Sequence, residues 1–108
     1  MASGSVVRTR PNIGFAFEQL TVANSVQVLT PANYKDGDTS GGAESAFITL
    51  ETGQIRYRYD GGTPSSTVGH ILDVGGILVL NGQNQMAAFK CIRTGSTSGV
   101  ISVTFERE

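Results

Sequence analysis

The 108-residue chain predicts an all-β fold, a single antiparallel β-sandwich of about eight strands, jelly-roll-like, with a small β-barrel as the alternative. Three observations carry this reading. Residues 54–60, Gln-Ile-Arg-Tyr-Arg-Tyr-Asp, put Ile55, Tyr57 and Tyr59 on one side of an extended chain and Arg56, Arg58 and Asp60 on the other. Glycine pairs and Thr52-Gly53 bound that stretch, and much of the remaining chain repeats its alternation. Fourteen glycines and three prolines supply tight turns, and no segment carries a credible helical pattern.

The elements follow in order. Residues 1–12 are small, polar and weakly patterned, and are expected to form a flexible N-terminal arm before a sandwich domain at 13–108. In residues 15–22, Phe15 and Phe17 share one parity and Leu20 and Val22 the other, which predicts a β-bulge near Glu18-Gln19 or a strand that changes sheets. A short strand at 26–30 closes at Pro31, and residues 33–44 form the longest polar connection. Residues 46–51 read as a strand, and Thr52-Gly53 is expected to close a two-residue hairpin into 54–60. A loop at 61–67 leads to a strand at 68–74, then Gly75-Gly76 and the strand 77–80. That strand is apolar on both sides, with Ile77 and Val79 opposite Leu78 and Leu80, so one face meets the core and the other awaits a loop or a second subunit. Residues 86–93 are expected to be a strand carrying Ala87, Phe89 and Cys91 on one face. The last strand, 100–106, buries Ile101, Val103 and Phe105.

Composition narrows the role. A chain of this length forms one domain. Charged residues make up 16%, against about 25% in ordinary globular proteins, a lean toward burying surface in an oligomer. The net charge is −1 and the eight Lys and Arg residues are scattered, without the basic footprint of a nucleic-acid binder. The opening lacks the apolar core of a signal peptide, and no run approaches the roughly 18 apolar residues that span a bilayer. Synthesis in a cytoplasm, no membrane contact and no cofactor are the expectations.

The chemistry-bearing residues form no catalytic kit. Asp36-Gly37-Asp38 begins like a calcium loop, but its twelfth position is Phe47 and not glutamate, so a solvated turn is the plainer reading. His70 and Cys91, the only residues of their kinds, are too few for a zinc site within one chain; three copies of His70 about a threefold axis are the metal alternative. Ser66, His70 and Asp73 are close in sequence, yet a triad is defined by geometry and an oxyanion hole, and neither is legible. Cys91 reads as a small buried hydrophobe. Arg56 and Arg58 form an outer stripe, either a soluble sheet surface or a contact stripe toward a subunit or an anion.

Residues 55–72 (Ile-Arg-Tyr-Arg-Tyr-Asp-Gly-Gly-Thr-Pro-Ser-Ser-Thr-Val-Gly-His-Ile-Leu) and the 81–106 tail, with its Ala-Phe-Lys-Cys-Ile-Arg-Thr-Gly run, resemble small β-sandwich proteins encoded among phage virion genes. The resemblance covers about 54–106, a pattern of strands and turns without a catalytic signature. It implies a non-enzymatic particle component, such as a capsid decoration or accessory protein, commonly trimeric and in contact with other virion proteins.

Two functions are thus expected. The first is a structural assembly protein forming a symmetric homo-oligomer through Ile77, Leu78, Val79 and Leu80, with Arg56 and Arg58 as further contacts; Val79→Asp or Leu80→Asp is expected to give monomers. The alternative is a carbohydrate-binding module using loops 33–44 and 61–67, with Tyr34 and Phe47 as the stacking platform.

Overall fold

The structure, a computed structural model, describes residues 13–35 and 42–107. The expected arm at 1–12 and the Asp36-Gly37-Asp38 turn lie outside the described residues.

Among the described residues alternating side chains build eight strands: β1 (Ile13–Val22), β2 (Gln27–Val28), β3 (Ser45–Thr52), β4 (Ile55–Arg58), β5 (His70–Leu72), β6 (Ile77–Asn81), β7 (Lys90–Arg93) and β8 (Gly99–Arg107). They pair antiparallel into two four-stranded sheets, β1-β8-β3-β6 and β2-β7-β4-β5. First pairs with last, second with seventh, third with sixth and fourth with fifth. A long hairpin wrapped on itself gives this nesting, and it makes the sandwich a jelly roll.

Period-2 burial decides the inner face of each sheet. In β8, Ile101, Val103 and Phe105 are fully buried, as their alternation predicts. Ala46, Ile48 and Leu50 of β3 stand opposite Phe105, Val103 and Ile101, and Leu80 of β6 opposite Ala46. The facing sheet contributes Ile55, Leu72 and Cys91. Each fully buried aliphatic side chain contributes about 1.5–3 kcal/mol of transfer free energy.

Two short helices, which the sequence reading did not anticipate, close one end. Pro31 at the first helical position starts α1 (Pro31–Tyr34), where a missing N–H costs nothing. Gly82, at φ +87°, starts α2 (Gln83–Ala88), whose Gln85 side chain accepts from the Asn81 N–H at 2.7 Å. Met86 points inward and Ala87 lies exposed, so the expected strand over 86–93 is corrected to a helix followed by β7. Phe89 and Cys91 are buried as expected.

Two further expectations are corrected. The β1 bulge falls between Gly14 and Ala16, at Phe15, and not near Glu18-Gln19. Phe17 therefore faces outward at 61% exposure, while Glu18 turns toward the seam between the sheets. There its carboxylate accepts from the Thr30 N–H (3.0 Å) and hydroxyl (2.7 Å) at the end of β2. Thr52-Gly53 joins strands of different sheets and closes no hairpin. Both neighbours of β3, β8 and β6, come from far along the chain, so β4 crosses over to pair with β7 and β5.

Candidate functional site

The two sheets treat their outer faces differently. On the β2-β7-β4-β5 sheet, Arg56 points out and ties down the connection after β4, donating from Nε to the Ser66 carbonyl (3.1 Å) and from Nη1 to the Gly69 carbonyl (2.8 Å). Pro64 is buried beneath this connection, and Ser65 and Val68 exchange backbone hydrogen bonds of 2.9 and 3.3 Å within it. The chain thus lays its own loop against the Arg56 part of this face, while Val28 and Ile71 of the same sheet remain 44% and 48% exposed.

No such loop is described over the β1-β8-β3-β6 sheet. Its outer side carries a transverse row set by register: Val79 opposite Phe47, Phe47 opposite Thr104, and Thr104 opposite Phe17. Ile77 lies beside that row on β6. Phe17 and Ile77 are each 61% exposed, Val79 47% and Phe47 38%. The adjacent row runs from Ile77 through Thr49 and Ser102 to Gln19, and its far end is polar: Gln19 donates to Glu51 (3.0 Å) and Ser102 (3.3 Å), and the Ser102 hydroxyl donates to Glu51.

The six residues expected at a subunit interface separate accordingly. Ile77 and Val79 stand on the open face, whereas Leu80 is fully buried and Leu78 packs against the core. Arg56 and Arg58 belong to the other sheet, so the structure does not bring them to the Ile77–Val79 surface. Phe17 and Phe47 are exposed neighbours of Val79 on this face that sequence reasoning missed. Phe17 was hidden by the misplaced bulge, and Phe47 had been assigned to sugar stacking.

A concavity of about 290 Å³ lies where β4 runs into its loop, lined by Arg58, Tyr59, Asp60 and His70. Pairing of Tyr57 with His70 across β4 and β5 gathers three rings: Tyr57–His70 at 5.4 Å, Tyr57–Tyr59 at 6.3 Å and Tyr59–His70 at 6.3 Å between centroids. Phe89 backs Tyr57 at 5.9 Å. Arg58 donates to Asp60 from Nε (3.0 Å) and Nη2 (2.7 Å), and the Gly62 N–H reaches the same carboxylate at 3.1 Å. Those hydrogen bonds, led by Arg58's and aided by its charge, hold the Asp60 carboxyl at about 2. Two roomier clefts, about 550 and 460 Å³, are lined by Ala43, Glu44 and 81–84, and by Asn24, 64–66 and 92–95.

Other candidates are committed elsewhere. Asp73 accepts from Gln54 at 2.6 Å and His70 packs against tyrosines, and among the described residues no hydrogen bond joins Ser66, His70 and Asp73 as a triad. Tyr34 is 4% exposed, its ring 6.2 Å from Phe105, and burial raises its pKa; it is a core residue and not a stacking platform. Burial pushes the Cys91 thiol up to about 12, and its Sγ lies 3.6 Å from the Gln27 carbonyl oxygen. Among the described residues no cluster of three or more His, Cys, Asp or Glu is placed to hold a metal. No described helix is long and apolar enough to cross a membrane.

Fold and surface together define a small jelly-roll sandwich whose β1-β8-β3-β6 sheet exposes Phe17, Phe47, Ile77 and Val79 on its outer side. Comparison with protein-family models, curated proteins and solved structures finds no match to this chain.

Proposed function

We propose that the protein is a non-enzymatic structural protein that assembles into a symmetric homo-oligomer through the outer face of its β1-β8-β3-β6 sheet. The observation that carries this reading is the exposed row of Phe17, Phe47 and Val79, flanked by Ile77, on a sheet that no described loop covers. Four large apolar side chains grouped on one face are costly to leave in water, and a second copy of the same face is a self-complementary cover. A closed trimer within a phage particle, as a decoration or accessory protein touching other virion proteins, is the form implied by the resemblance of 54–106.

The test separates interface from core. Val79→Asp and Phe17→Asp are expected to elute at monomer mass with unchanged circular dichroism, because both side chains already face solvent in one chain. Leu80→Asp is expected to unfold the protein, because it places a charge in the core. Retention of the oligomer by both surface variants contradicts the proposal.

A further inference from the structure

We propose that the concavity formed by Arg58, Tyr59, Asp60 and His70 binds a single neutral sugar ring. This inference is independent of the self-assembly reading, because the concavity belongs to the other sheet.

The ligand class follows from the walls. Tyr59 and His70 line the concavity with rings tilted 36° to each other, Tyr59 stacked on Tyr57 at 6.3 Å and Phe89 behind Tyr57. Ring faces of this kind receive the apolar C–H side of a pyranose, which is flat on the scale of a tyrosine. At the rim, Arg58 and Asp60 form a fork of donors and acceptors that suits hydroxyl groups. Arg58 commits Nε and Nη2 to Asp60, and its remaining N–H groups have no partner among the described residues. Since the arginine charge is already balanced by Asp60 at 2.7 Å, the site has no strong preference for a phosphate or carboxylate. The polar rim equally disfavours a purely apolar guest, which would strip water from the ion pair without replacing it.

Size and rigidity agree. A volume of about 290 Å³ lies at the bottom of the roughly 300–1,000 Å³ range of small-molecule sites, room for one ring and not for an extended chain. The polar wall is already bonded in the free chain: Asp60 accepts from Arg58 at 3.0 and 2.7 Å and from the Gly62 N–H at 3.1 Å. Preorganisation of this sort reduces the ordering cost of binding. The site moves sugar recognition away from loop 33–44, whose Tyr34 is buried, to the mouth of loop 61–67, whose Gly62 N–H bonds Asp60.

Saturation-transfer NMR with the methyl glycosides of glucose, galactose, mannose and N-acetylglucosamine tests the proposal, with adenosine as a flat neutral competitor class. At least one glycoside is expected to show transfer to its ring C–H protons and to shift the Tyr59 and His70 ring resonances. Tyr59→Ala is expected to weaken that binding about tenfold, within the range of a lost aromatic contact. Tyr59 is 41% exposed, so the variant retains the core, and the wild-type resonance shifts give the same answer without any variant. No transfer from any glycoside, shifts confined to other residues, undiminished binding by Tyr59→Ala, or transfer from adenosine alone overturns it.

Discussion

Gly53 marks the point where the chain leaves one sheet for the other, and its backbone sits at φ +65° with a hypothetical Cβ only 2.6 Å from the Ser98 carbonyl oxygen. Gly53→Ala is therefore expected to lose more in urea unfolding than the about 1–3 kcal/mol of the backbone conformation alone, because the clash adds to it. Gly61→Ala, at φ +91° with open space around it, loses only the conformational part, about 1–2 kcal/mol; equal losses would mean that the Ser98 contact is absent. Cys91 gives a pH test. Its folded pKa is raised from 9.0 to about 12, so the buried neutral thiol favours the folded state fully below the unfolded value. That contribution is lost as pH rises from about 9 toward 12. The stability advantage of the wild type over Cys91→Ala is expected to shrink across this window, and an Ellman-type disulfide reagent is expected to label the thiol only after unfolding. Asp60 has the opposite sign: its folded pKa is lowered from 3.8 to about 2, so its contribution is present above the upper value and lost as pH falls through the lower one. Carboxyl NMR titration should find its midpoint near 2, moving back toward the ordinary range in Arg58→Ala. At this scale the alternation in β8 was legible, because Ile101, Val103 and Phe105 are consecutive inward positions of one regular strand. The parity of β1 was not, since an outward Phe17 and a seam-facing Glu18 invert the hydropathy rule.

Among the elements, α2 separates local pattern from tertiary placement. Gln83-Asn-Gln-Met-Ala-Ala88 contains good helix formers but is too short for a clear period, and the strand-like stretch that follows drew 86–88 into the wrong element. The helical assignment has a direct check. Ala87→Glu is expected to change stability by no more than about 0.5 kcal/mol because the residue is exposed, whereas a strand sharing the Phe89 and Cys91 face would bury that charge. Met86→Ala should cost about 2–5 kcal/mol, since Met86 is 1% exposed and plugs the helix-capped end of the sandwich. The Thr52-Gly53 junction teaches the same lesson. A glycine turn between two alternating segments reads identically whether its strands pair with each other or pass to opposite sheets. The deciding fact, that β8 and β6 already flank β3, lies roughly thirty to fifty residues away in sequence.

For the whole molecule, strand number, fold class and the inward set were readable because they depend on local alternation. Strand order was not, because nested first-with-last pairing is fixed by non-local contacts. The surface behaved likewise. Ile77 and Val79 were visible as one side of a two-faced strand, but their company with Phe47 and Phe17 emerged only once register aligned four strands. Light scattering behind size exclusion, over a dilution series of the wild-type chain, tests self-assembly through that face most directly. The account predicts a discrete closed multiple of 11.4 kDa that survives dilution, with Val79→Asp at the single-chain mass under the same conditions. A wild-type protein that is monomeric at every concentration contradicts it.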